Sequence, residues 1–116
     1  MAHAYVFGFL GARCKANART TWNALLKKEG IDGFFDFYRT TGSQDLATRL
    51  SEMFLLERRG YLIDVPLQEA TVPLMDFLAP SVQNGRVDVV KNERGVLTGH
   101  YVGETTPETI LKMWMT

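Results

Sequence analysis

A chain of 116 residues lies in the commonest size range for one domain and can bury roughly two thirds of its unfolded surface, so one hydrophobic core is expected. Thirteen basic and thirteen acidic side chains cancel to a net charge of zero, which removes the electrostatic basis for binding nucleic acid or an anionic membrane. The single cysteine, Cys14, excludes an internal disulfide, and without a signal peptide or a bilayer-length apolar stretch the expected compartment is the cytoplasm.

Residues 4–10 form an apolar run with aromatic and β-branched members, closed by Gly11, as in a strand buried on both faces. Beyond a loop over 11–17, Ala18, Trp22, Leu25 and Leu26 fall at helical spacing, Lys27 and Lys28 suit the helix C-terminus, and Gly30 ends the run. The aromatic stretch 33–39 then reads as the second strand of a strand-helix-strand unit. Ser43 caps a second amphipathic helix carrying Leu46, Leu50, Met53 and Phe54 and ending near Arg58. A third strand over 61–65 stops at Pro66, and a short helix is expected over 69–78. Residues 87–90 and 96–101 make an antiparallel pair joined through Asn92, Glu93, Arg94 and Gly95. Thr106, Pro107 and Glu108 are a cap, a first-turn proline and a first-turn acid, opening a helix with Ile110, Leu111 and Trp114 on one face.

The alternation predicts an α/β three-layer sandwich: a mostly parallel mixed sheet of about five to six strands with helices on both faces, all in one domain over 1–116. Ligands bind such sheets beyond the carboxyl ends of the strands, which directs attention to loops 11–19, 64–69 and 84–88. In these loops and around them, framework residues follow one another in a particular order. They are Phe7 to Gly11, Trp22-Asn23, Gly60 with Pro66, Leu74-Met75-Asp76 with Leu78 and Pro80, Gly85-Arg86-Val87-Asp88, and Gly95, Leu97 and Gly99. In that order and spacing the chain resembles the amino-terminal, substrate-binding domain of the shikimate dehydrogenase family over about the first hundred residues. The family's reaction is an NADP-dependent oxidation of shikimate.

The resemblance also implies that the family's chemistry is lost. Its catalytic lysine falls on Gln68, which does not titrate near neutral pH, and its acid partner falls on Gly103. The asparagine and threonine of the lysine motif fall on Leu62 and Asp64, and the serine-rich loop falls near residues 16–19. No Gly-x-Gly-x-x-Gly pattern occurs, so no cofactor is expected on these residues, the family's NADP being held by a domain they do not include.

The expected cleft gathers Arg13, Lys15, Asn17, Arg19, Asp64, Gln68, Arg86, Asp88 and Tyr101, a polar rim of mixed charge suited to a small polar or anionic metabolite. The plainer alternative makes Arg13, Lys15 and Arg19 solvated loop and helix-start charges, and bridges Asp64 or Asp88 to Arg86. Cys14 reads as a small loop or packing residue rather than a nucleophile, and His3 and His100 are too isolated for a metal site. The aromatic residues Phe34, Phe35, Phe37 and Tyr38 read as core, although the resemblance puts their strand at a sheet edge open to homodimerisation. Met113, Trp114 and Met115 have little left to cover them and offer a contact to a partner. Three functions follow in order: a non-catalytic ligand-binding or regulatory domain, an interaction module with a vestigial cleft, and one component of a split dehydrogenase whose nicotinamide domain belongs to a separate partner chain.

Overall fold

The computed structural model describes residues 5–116, so Ala4 of the expected first strand and His3 lie outside the described residues. The aromatic and apolar run Tyr5–Gly11 forms β1. It is followed by α1 (Ala18–Lys28), β2 (Gly33–Arg39), α2 (Gly42–Leu55) and β3 (Gly60–Ile63). Then come a 3-10 turn (Val65–Leu67), the one-turn helix α3 (Gln68–Thr71), a second 3-10 turn (Val72–Leu74), β4 (Phe77–Leu78), β5 (Val89–Glu93), β6 (Val96–His100) and α4 (Pro107–Met115).

The strands make one six-stranded sheet in the order β2-β1-β3-β5-β6-β4. β1 runs parallel to both β2 and β3, and β4 runs parallel to β6; β5 is antiparallel to both its neighbours and is the one reversed strand. The connections through α1 and α2 step in opposite directions along the sheet and use opposite faces, so both have the same hand. On one face Trp22, Leu25 and Leu26 of α1 meet Ile110, Leu111 and Trp114 of α4 over Phe7, Phe35 and Val89. On the other, Leu46, Leu50 and Met53 of α2 cover Leu10, Tyr61, Ile63 and Val90. Val89 and Val90, adjacent in the chain, enter opposite cores because strand side chains alternate, and this alternation binds the three expected layers together.

Several boundaries differ from the sequence expectation. The helix expected over 69–78 is broken into single turns, because Pro66 and Pro73 each remove a backbone donor and favour short 3-10 segments; Phe77–Leu78 instead form an edge strand beside β6. α2 starts at Gly42 with Thr41 before it, and Asp45 accepts from the Thr41 N–H at 3.2 Å, so Ser43 is already inside the helix. β3 ends at Ile63 because the Asp64 carboxylate takes the Val65 N–H at 2.9 Å and turns the chain. Asn92 and Glu93 belong to β5, and the hairpin turns on Arg94 and Gly95 alone, both with the positive φ that a two-residue turn of this kind requires. The polar Asn92 is buried in its strand because its amide donates to Met53 O at 3.0 Å and Arg58 O at 2.8 Å while its Oδ1 accepts from Gly95 N at 2.8 Å.

The last helix also departs from expectation. Trp114 is wholly buried rather than presented to a partner: its indole stacks on Phe7 with ring centroids 4.8 Å apart and donates to Val90 O at 3.1 Å. Gly60 makes room for it, since a Cβ at that position would collide with the indole. Of the aromatic stretch in β2 only Phe35 is fully core; Phe34 is exposed, and Phe37 and Tyr38 are half-buried on the sheet edge.

Candidate functional site

A cleft of about 620 Å³ opens at the carboxyl ends of β1 and β3, between the loop that follows β1 and the start of α4. Its floor is apolar, made by Phe9 and Leu62 from the sheet, Trp22 and Phe35 behind α1, and Ile110 of α4. Arg13, Lys15 and Asn17 stand on the loop side of the rim, and Asp64 on the other. A smaller hollow of about 340 Å³ continues past Lys15 and Asp64 to Gln68, Asp88 and Gly103. Six of the nine expected residues are thus brought together: Arg13, Lys15, Asn17, Asp64, Gln68 and Asp88.

The other three lie elsewhere. Arg19 points along the outside of α1 to Asp36, 3.1 Å away, because it lies on a different face of the helix from Ala18, Thr21 and Trp22, which line the cleft. Arg86 reaches Glu69 at 3.9 Å rather than Asp64 or Asp88, so the expected bridge between Arg86 and either aspartate is replaced. Tyr101 does not line either hollow, and its backbone N–H donates to Ser81 Oγ at 3.1 Å.

Inside the cleft the polar groups divide by what they hold. Asp88 is fully engaged by the chain: its two carboxylate oxygens accept from Val102 N at 2.9 Å and Gly103 N at 2.8 Å, which clips the segment after β6 against β5. Gln68 is buried and its Nε2 donates to Ile63 O at 3.0 Å, bracing the end of β3. Asp64 packs against Gly11, where a Cβ would lie 2.7 Å from the Asp64 Cβ, so glycine is required there for the aspartate to sit at the mouth of the cleft. Arg13 and Lys15 are exposed cations with no ion pair among the described residues. Cys14, between them, has its thiol pushed up from the ordinary value by burial, with Arg19 opposing, so it stays a thiol near neutral pH.

The turn from β1 into α1 contains one glycine, Gly11, with the Asp64 side chain packed against it. Among the described residues no three His, Cys, Asp or Glu side chains are grouped to hold a metal ion, and no helix is long and apolar enough to cross a membrane.

The apolar floor and the contribution of α4 were not legible as a site. Phe9 read simply as a strand residue, Leu62 as a replaced position of the family's lysine motif and Pro107 as part of a helix start; only the return of the chain across the sheet brings them to the cleft.

No protein-family model matches the chain, and no curated protein matches its sequence. Solved structures match its fold. Shikimate 5-dehydrogenase from Listeria monocytogenes, in complex with shikimate and NAD, superposes with a TM-score of 0.76 at 24% identity over 86% of this chain and 35% of that one. The ligand-free 5-ketofructose reductase of Gluconobacter sp. strain CHM43 gives 0.78 at 22% identity over 84% and 36%, and quinate dehydrogenase from Corynebacterium glutamicum gives 0.73 at 25% over 84% and 37%. The chain spans little more than a third of the length of these proteins. It therefore shares its fold with part of the shikimate dehydrogenases and of reductases built like them.

Proposed function

We propose that the chain is a small-molecule-binding domain without catalysis of its own, and that its ligand is a small polar metabolite carrying a carboxylate or phosphate. The observation that carries this reading is the composition of the cleft. An apolar floor faces a rim whose cations, Arg13 and Lys15, are uncommitted, while the groups at the catalytic positions of the resembled family are tied into the fold. An arginine, a lysine and the Asn17 amide at one mouth supply donors for an anionic group, and the floor shields those hydrogen bonds from water. Gln68 amide chemistry and a bare Gly103 leave hydride transfer to a ketone without a proton relay. As one part of a split dehydrogenase the chain would depend on a partner for both nicotinamide and relay, which makes that reading the weaker one.

The test is a thermal-shift screen with shikimate, quinate, dehydroshikimate, other small carboxylates and inorganic phosphate, read alongside alkylation of Cys14 from within the cleft. A true ligand at a hundredfold excess over its Kd raises the melting temperature by on the order of 10 °C and slows Cys14 alkylation. Arg13→Ala and Lys15→Ala each weaken it roughly tenfold, the loss of one charge-assisted hydrogen bond. Arg19→Ala, outside the cleft, leaves it unchanged. A ligand that stabilises the fold yet leaves alkylation and both rim variants unaffected binds elsewhere, and turnover by the chain with added NADP refutes the absence of catalysis.

A further inference from the structure

The opposite end of the sheet, where the parallel strands begin, carries a second surface. Along α2 the buried positions Leu46, Leu50 and Met53 give way to three consecutive apolar residues, Phe54, Leu55 and Leu56, that are 63%, 73% and 55% exposed. This is where Phe54, read from sequence as part of the core face, leaves the core, because α2 runs past the sheet it covers and Phe54 comes to rest over Gly95 of the hairpin turn. Phe54 and Leu56 share a depression of about 620 Å³ with Tyr5, Arg58, Arg59 and Arg94.

Two observations set this depression apart from an untidy helix end. Among the described residues the non-glycine positions with positive φ are Glu57, at 52°, and Arg94, at 54°, and both line it. Glycine or asparagine relieves such a conformation, Glu57 sitting where a helix-terminating glycine is usual and Arg94 at the first place of the hairpin turn. Charged side chains are kept at both in spite of the strain, as happens where a surface has work to do. Its lining is also rich in cations, with three arginines against the carboxylate of Glu57, while the neighbouring Glu93 is paired with Lys91 at 2.8 Å. Arg58 is held by the Tyr38 hydroxyl and Arg59 by Trp114 O, while Arg94 makes no ion pair among the described residues.

We propose that this end of the domain docks an amphipathic segment of another protein, one that presents apolar side chains beside carboxylates. The exposed Phe54 and Leu56 supply the apolar contact, and Arg94 and Arg59 select acidic flanks over basic ones. A second copy of the chain is the poorer occupant, because the patch would bring arginine against arginine about a symmetry axis. The surface lies away from the cleft, so the proposal stands or falls independently of what the cleft binds.

The experiment is selection of a random peptide library displayed on phage against the chain, with counter-selection against a Leu56→Ser, Arg94→Gly double variant. The strongest peptide is then titrated by fluorescence anisotropy. Expected are peptides that combine leucine- or phenylalanine-like side chains with Asp or Glu. Leu56→Ser should weaken the best of them roughly thirtyfold, as for an interface anchor, and Arg94→Gly about fivefold with the loss removed at high salt. Arg94→Gly should at the same time raise the melting temperature, since it relieves a left-handed arginine, which separates lost docking from lost folding. Recovery of no peptide, recovery of peptides without acidic residues, or affinity indifferent to both variants overturns the proposal. So does a self-association in sedimentation that Leu56→Ser abolishes, because the occupant is then a second copy.

Discussion

Replacing Asn23 with alanine should both loosen the fold and open an edge of its sheet. Asn23 sits in the middle of α1, where asparagine is a poor helix former, and its amide reaches across to β2, the edge strand. Nδ2 donates to Phe35 O at 2.9 Å and to Arg19 O at 2.8 Å, and Oδ1 accepts from Phe35 N at 2.8 Å. The outward-facing N–H and C=O of Phe35 are therefore paired as a neighbouring strand would pair them, and the next outward N–H, of Phe37, is taken by Asp36 at 2.8 Å. Each of the two half-buried bonds to Phe35 contributes about 1 kcal/mol, and alanine returns roughly 0.5 kcal/mol through helix propensity, leaving a net loss of about 1.5 kcal/mol. For a domain of this size that lowers the melting temperature by about 6 °C. Asn23→Asp should be at least as damaging, since a carboxylate there accepts from Phe35 N but repels Phe35 O. Calorimetry of the three proteins gives the stability, and sedimentation velocity gives the association: the alanine variant should self-associate more than the parent. An Asn23→Ala protein as stable as the parent, or more so, refutes the capping role.

The remaining predictions concern a titration and a close contact. His100 in β6 has its pKa lowered by burial first and by Lys91 second, against the opposing pull of Asp88. The unfolded imidazole therefore takes up a proton near its ordinary 6.5 and the folded one only below that, so stability is fully present above this pH and is lost as pH falls through it. Between about pH 7.5 and about pH 5.5 the melting temperature of the parent should fall further than that of His100→Gln, and an equal fall in both contradicts the assignment. At Gly60, alanine would drive a methyl group into the Trp114 indole, an overpacking worth about 1–3 kcal/mol in urea titrations. Trp114→Phe should recover part of that loss in the double variant although it is destabilising alone, whereas strictly additive losses would mean that the two sites do not touch.

Periodicity and punctuation in the chain were sufficient for the architecture. The apolar run of β1, the helical spacing of Trp22, Leu25 and Leu26, and the Thr106-Pro107-Glu108 helix start each act through local backbone physics. Their alternation led to a three-layer sheet, and a common order of framework residues led to the shikimate dehydrogenases before any superposition. The cleft was half legible. Loop position placed Arg13, Lys15, Asn17 and Asp64 at the carboxyl ends of the strands, where they line one cleft, because that location follows from topology alone. What each polar side chain grips did not follow. Asn23 bonds Phe35 twelve residues on, Asp88 bonds Val102 fourteen residues on, and Arg19 pairs with Asp36 seventeen residues on. Arg59 finds Trp114 O across fifty-five residues. Such contacts depend on which strands become neighbours and on the few ångströms by which helices slide over them, so a tryptophan that looked uncovered at position 114 is wholly buried in its core, and Arg19, expected in the cleft, holds the sheet edge instead.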